Sequence, residues 1–176
     1  MKITHIDIEF VENLKDDYCD YKEYERASLE KLLSRVKESD RQKARELLND
    51  SLNNGIIRLS TGDIEDCFSE APEIEYLEFS FEQLAEQTAR DVSPFIKING
   101  KIKNMLVVIS SGDDEEMTMH EVGNCIKSLE NCIEKATGQK QEPDKMYWSM
   151  VQKEPAGFIR LLFVKFVELD YTCFYE

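Results

Sequence analysis

His120, Glu121 and Cys125 lie close together in the chain, and a histidine beside a cysteine invites a nucleophile-and-base reading. On a helix of about 3.6 residues per turn the five-residue offset turns the His120 and Cys125 side chains roughly 140° apart, too divergent to share a proton easily. A surface histidine and a core cysteine are therefore expected. Asp113, Asp114, Glu115 and Glu116 form a run of carboxylates, but calcium asks for roughly six or more oxygens from spaced positions, including a distal bidentate glutamate. A contiguous run lacks that spacing, so a solvated turn that adds negative charge before a helix N-terminus is expected instead. The cysteines, Cys19, Cys67, Cys125, Cys132 and Cys173, are odd in number and contain no Cys-x-x-Cys pair, which indicates neither a disulfide framework nor a zinc knuckle. From these residues we expect no catalytic set, no metal site and no cofactor, and hence a protein that is not an enzyme.

The composition narrows the partners. Hydrophobic residues at 41% and aromatics at 10% fit a folded globule, and 176 residues suit one domain with its own core. The 36 acidic side chains against 22 basic ones give a net charge of −14, which opposes the phosphate contacts that nucleic-acid binding needs. Residues 55–96 alone carry ten acidic and two basic side chains, a segment able to steer basic partners. No apolar run approaches the ~20 residues of a membrane span, and the start MKITHIDIEF alternates rather than forming an apolar leader. The expectation is a cytoplasmic protein with reduced thiols, a protein partner, and neither nucleic acid nor membrane to bind.

Periodicity supplies the elements that must hold these residues. Ile3, Ile6, Ile8 and Phe10 mark residues 3–11 as a strand. Across residues 21–53, Leu29, Leu32, Leu33 and Val36, then Ala44, Leu47, Leu48 and Leu52, recur at helical spacing, with Ser39-Asp40 as a cap between two helices. Asn53-Asn54-Gly55 stops the second. A turn at Thr61-Gly62 leads to a short helix over residues 63–69, with Asp63 near its cap, and Pro72 ends it. Residues 73–80 alternate as a strand, Phe81 to Val92 form a helix closed by Pro94, and Met105 to Ser110 are the continuous apolar run of a strand covered on both sides. A helix over residues 117–136 follows, opened by a Thr118/Glu121 capping box. Residues 147–152 and 158–169 read as two strands joined by a Pro-Ala-Gly turn, a terminal hairpin, with Trp148 in the core. The fold class expected is α+β, a four- to five-stranded mixed sheet packed with helices.

Three stretches, in order, resemble the C-terminal domain of the FtsZ and tubulin family. Gly55-Ile-Ile-Arg-Leu-Ser-Thr-Gly-Asp63-Ile is similar to the family's loop of the form Gly-Leu-Ile-Asn-x-Asp-x-x-Asp. Leu84-Ala-Glu-Gln-Thr-Ala-Arg-Asp-Val-Ser-Pro94 resembles its alanine- and glutamate-rich helix ending in Ser-Pro. Met105-Leu-Val-Val-Ile-Ser-Ser-Gly-Asp113, followed by Met119-His-Glu-Val-Gly-Asn124-Cys-Ile126, resembles its strand, glycine turn and helix. The resemblance divides the chain into an N-terminal strand and helical extension, residues 1–54, and a C-terminal-like domain, residues 55–176, together one compact unit.

The departures bear on function. The family binds GTP through a Gly-Gly-Gly-Thr-Gly loop in a preceding Rossmann-like domain, with phosphate on a helix N-terminus. This sequence has no such motif, so it is not expected to bind or hydrolyse GTP alone. In the family's filaments the acidic loop reaches a neighbour's nucleotide. Here Asp63 matches the second acid, whereas Arg58 stands at the asparagine position and Ser60 at the first aspartate. The resemblance thus implies a partner-binding loop with Arg58, Ser60, Asp63 and Asp66, on a module that binds or caps an FtsZ-like GTPase or itself. Without the resemblance, Asp63 is simply a helix cap. The competing expectation is a small acidic inhibitor or immunity-type protein whose Glu73, Glu75 and Glu78 occupy a basic site.

Overall fold

The computed structural model describes residues 25–89, 98–112, 117–153 and 156–166. The expected strand at 3–11, the end of the helix before Pro94 and the acidic run 113–116 lie outside them.

The amphipathic stretch at the start is two helices, as its spacing implies: α1 over residues 25–33 and α2 over Arg41–Asn49, separated by a 3₁₀ turn, Glu38–Asp40. Asp40 occupies the N-cap position of α2 but makes no side-chain capping bond. A π turn, Asp50–Asn54, then releases the chain into the short strand β1, Gly55–Ile57. Next come α3 (Thr61–Phe68), β2 (Glu75–Ser80), α4 (Phe81–Ala89), β3 (Ile102–Ser111), α5 (Met119–Thr137), β4 (Lys145–Gln152) and β5 (Phe158–Lys165). The helix α5 opens on the expected capping box: Thr118 Oγ1 accepts from the Glu121 amide, and the Glu121 carboxylate accepts from the Thr118 amide at 2.7 Å. It closes at Gly138, whose φ of 70° is the left-handed turn that glycine adopts freely.

The five strands form one mixed sheet in the order β1-β4-β3-β5-β2, which makes the fold α+β. The apolar run in β3 behaves as expected of a strand covered on both faces. Leu106 and Val108 join one core with Leu33, Leu47, Ile64 and Phe68 of α1 to α3. Met105, Val107 and Ile109 join a second core with Leu84 of α4 and with Val122, Leu129 and Ile133 of α5. Trp148 packs, half-buried, against the second core.

The terminal hairpin does not form. Strand β4 runs parallel to β3, with Met105 opposite Met146, while β5 runs antiparallel on the other side of β3, with Met105 opposite Phe163. A strand that is apolar on both faces needs a neighbour on each edge, and the α5 crossover delivers β4 to one of them in parallel. Residues just after β4 and just before β5 both reach the end of β3. The Lys153 amide donates to the Ser111 carbonyl at 3.0 Å and the Gly157 amide to the Ser110 carbonyl at 2.9 Å.

One charged cluster is built into the first core. Asp50, 1% exposed, accepts from Arg160 Nη1 at 2.9 Å, from Lys153 Nζ at 3.0 Å and from Asn54 Nδ2 at 3.1 Å. Arg160 is itself buried and turns Nη2 onto Ser110 Oγ at 3.1 Å. Burial pushes the Asp50 carboxyl up, but the bonds from Asn54, Lys153 and Arg160 outweigh it and hold the group below its ordinary value. The stabilisation is then fully present above the unfolded value of 3.8 and is lost as pH falls through the lower folded one. Asp50→Asn leaves Arg160 without its counter-charge, and urea unfolding at neutral pH should show a loss of about 3–5 kcal/mol. The double variant Asp50→Leu with Arg160→Met should lose less than either single change. The Asp50→Asn protein should also lose less further stability than the parent between about pH 5 and pH 2.

Candidate functional site

The loop singled out by the sequence lies between β1 and α3, and its side chains are largely committed to local structure. Ser60, rather than Asp63, is the N-cap of α3. Ser60 Oγ accepts from the Asp63 amide at 3.2 Å, and Asp63 Oδ2 accepts from the Ser60 amide at 2.8 Å. The Ser60 hydroxyl, which also donates to Asp63 Oδ2 at 2.7 Å, and then the Ser60 amide hold the Asp63 carboxyl below its ordinary value. Asp63 is thus at the third helical position of a capping box, with its charge turned back on its own helix. The Arg58 Nε donates to the Gly55 carbonyl at 3.0 Å.

Asp66 lies about one turn beyond Asp63 on α3 and accepts from Lys145 Nζ at 2.5 Å and from the Tyr147 hydroxyl at 2.7 Å, both on β4. The Lys145 ammonium, followed by that hydroxyl, lowers its carboxyl. Asp66 therefore ties α3 to the sheet.

What the loop does build is one wall of a groove of about 620 Å³. Its floor is Leu29 and Leu33 of α1, Leu48 of α2, Leu52 of the π turn and Leu59 of the loop. Around them stand Glu25, Arg26, Glu30, Arg45, Asn49 and Asn53, with Ser60 and Thr61 on the loop side. The rim is internally bonded: Thr61 Oγ1 donates to Glu25 at 2.6 Å, and Arg45 meets Glu30 at 3.0 Å. The groove's position follows from the chain path, since the Leu59 amide donates to the Ser51 carbonyl at 3.0 Å and so draws the loop over the end of α2. Gly55 permits that path, because a Cβ there would stand 2.6 Å from the Ile57 carbonyl oxygen and 3.0 Å from Ser149 Oγ.

Other residues that might do chemistry are spread out. His120 is exposed, as expected, and Cys125 is half-buried. Burial pushes the Cys67 thiol up to about 12 and the Cys132 thiol to about 11, and burial together with Glu121 raises Cys125. Such thiols are poor nucleophiles at neutral pH. Of the acidic residues expected to meet a basic partner, Glu75 pairs with Lys165 at 2.5 Å and Glu78 accepts from the Tyr76 hydroxyl at 2.7 Å, whereas Glu73 is exposed. Among the described residues, no group of three or more His, Cys, Asp and Glu side chains is placed to hold a metal ion, and no helix is long and apolar enough to cross a membrane.

Among solved structures, FtsZ chains from M. jannaschii are similar. One, a single-residue mutant, gives a TM-score of 0.40 at 12% identity, covering 80% of this chain and 44% of its own. Another, an FtsZ dimer described as empty, gives 0.34 at 14% identity, covering 70% and 38%. The likeness is distant. The chain spans less than half the length of these FtsZ chains. No family model matches it, and no curated protein does.

The groove and the buried Asp50–Arg160 pair were not anticipated as sites. Arg160 carried a signal, since it interrupts the apolar run of β5, whereas Asp50, between Asn49 and Ser51 just past α2, did not. The capping box is the part of the loop most open to measurement. Ser60→Ala should cost about 1 kcal/mol in urea unfolding. The double variant Ser60→Ala with Asp63→Ala should cost less than the sum of the two single losses, since the Ser60 hydroxyl also donates to Asp63 Oδ2 at 2.7 Å, a bond that needs both side chains.

Proposed function

We propose that this chain is a protein-interaction module with no catalysis of its own, which docks on a filament-forming GTPase of FtsZ type and limits its assembly. The observation that carries the reading is the leucine-floored groove, one wall of which is the loop with Ser60 and Thr61. An apolar floor with a polar rim suits the apolar stripe of a partner helix, whose polar flanks stay hydrated. The class of partner rests on the three collinear sequence stretches that resemble the family, and on Arg58, which stands exposed in the same loop. A cytoplasmic setting and a role in cell division go with that partner. The acidic-inhibitor alternative has less support, because Glu75 and Glu78 are engaged within the chain.

Light scattering of an assembling FtsZ-type GTPase tests the proposal. An equimolar amount of this chain should lower the scattering plateau, and the paired change Leu29→Lys with Leu59→Lys should remove the effect while the variant still unfolds cooperatively. Reversing the charges at Glu73, Glu75 and Glu78 should leave the effect in place. An unchanged plateau at equimolar dose contradicts the proposal.

A further inference from the structure

One edge of the sheet is only half paired. The strand order places β1 outside β4, but β1 meets β4 only where Gly55 lies opposite Val151 and Ile57 opposite Met150. β4 itself begins at Lys145. Among the described residues, no strand stands beside Lys145 to Ser149 on the side away from β3. Unpaired main chain of this kind is a template for another strand. The edge also has two distinct faces. On one, Met146 and Trp148 pack half-buried against the second core. On the other, Lys145 and the Tyr147 hydroxyl hold Asp66, with the lysine and the aspartate both half-exposed. Ile56, in β1 at this same edge, is 55% exposed.

A strand that completes this edge must match both faces, and residues 3–11 do. Their alternation puts Ile6, Ile8 and Phe10 on one face and Asp7 and Glu9 on the other. With the apolar side chains turned towards α5, such a strand extends the second core over Met146 and Trp148 and leaves both acids hydrated beside Lys145. A slip of one residue would bring the acids onto the apolar face, so the register is specified.

The place where the chain enters the fold favours this edge over the other. The described chain begins at Glu25, which accepts from Thr61 Oγ1 at 2.6 Å. Thr61 follows the end of β1 by four residues and opens α3, the helix that Asp66 ties to β4. The chain thus enters on the β1–β4 side. The thirteen residues 12–24 reach at most about 45 Å when extended, ample for the near edge. The opposite edge, β2, stands four strand spacings from β1, about 19 Å farther. It carries Glu75 and Glu78, which repel a strand bearing Asp7 and Glu9.

We propose that residues 3–11 form a sixth strand, paired within the same molecule to the free edge of β4, with Ile6, Ile8 and Phe10 covering Met146 and Trp148. The inference is independent of the leucine groove and of its partner. The added strand closes an edge that would otherwise pair with other chains.

Nuclear Overhauser effects between main-chain amides of the full chain test the pairing, and should join residues 3–11 to Met146–Ser149. Ile6→Lys with Ile8→Lys should release the strand, and Trp148, the single tryptophan, reports it. Acrylamide quenching of Trp148 should rise at least about twofold, and the amides of Met146 to Ser149 that face away from β3 should exchange at least about tenfold faster, while β3 and β5 keep their protection. Asp7→Asn with Glu9→Gln, on the hydrated face, should leave quenching and exchange unchanged. Overhauser effects that join residues 3–11 to β2, or to no strand, overturn the proposal. It is overturned equally if the isoleucine variant matches the parent in quenching and exchange, or if protection of the edge rises with protein concentration, which puts a second copy there.

Discussion

The contact between Asp50 and Arg160 ties the end of α2 to the sheet at one point of the core they share. Asp50 ends α2, Lys153 lies in the passage from β4 to β5, and Arg160 lies on β5 beside Ser110 of β3. One carboxylate thus fixes the helical layer to the sheet at a defined position. Desolvating two charges is costly, and apolar side chains of the same size often stabilise a core better. Here Asn54 and Lys153 supply further bonds that offset part of that cost. What the pair adds is position: greasy leucines would accept several settings of α2 on the sheet, whereas an ion pair accepts one.

That position decides the surfaces. The π turn beginning at Asp50 aims the chain into β1, and the Ser51 carbonyl holds the Leu59 amide, so the loop and the leucine groove inherit the placement of Asp50. Farther along the same face, α3 is tied to the sheet by Asp66 with Lys145 and Tyr147 and by Asn104 with Cys67. The leucine groove therefore belongs to the α1–α3 layer, while α4 and α5 cover the other face of β3 around the second core.

Much of this was legible in the residues, and the failures share a cause. Helix spacing separated α1 from α2, the capping pair Thr118 and Glu121 located α5, and the unbroken apolar run of β3 announced a strand buried on both faces. Those are local patterns. The hairpin was misread because a Pro-Ala-Gly turn looks the same whether the next strand pairs with the last one or stands on the far side of a third, and only the need of β3 for two neighbours separates the cases. Asp63 was rightly suspected of capping, but Ser60 proved to be the cap, since the helix starts two residues earlier than the glycine suggested.

Amide hydrogen exchange on Arg160→Met beside the parent protein tests most directly whether the buried pair holds the helical layer in place. Amides of α2, the π turn and the loop through Thr61 should lose protection by at least about tenfold, while those of β3 and β5 outside the substituted site stay protected. Equal loss across all elements, or none in the π turn and loop, would contradict the account.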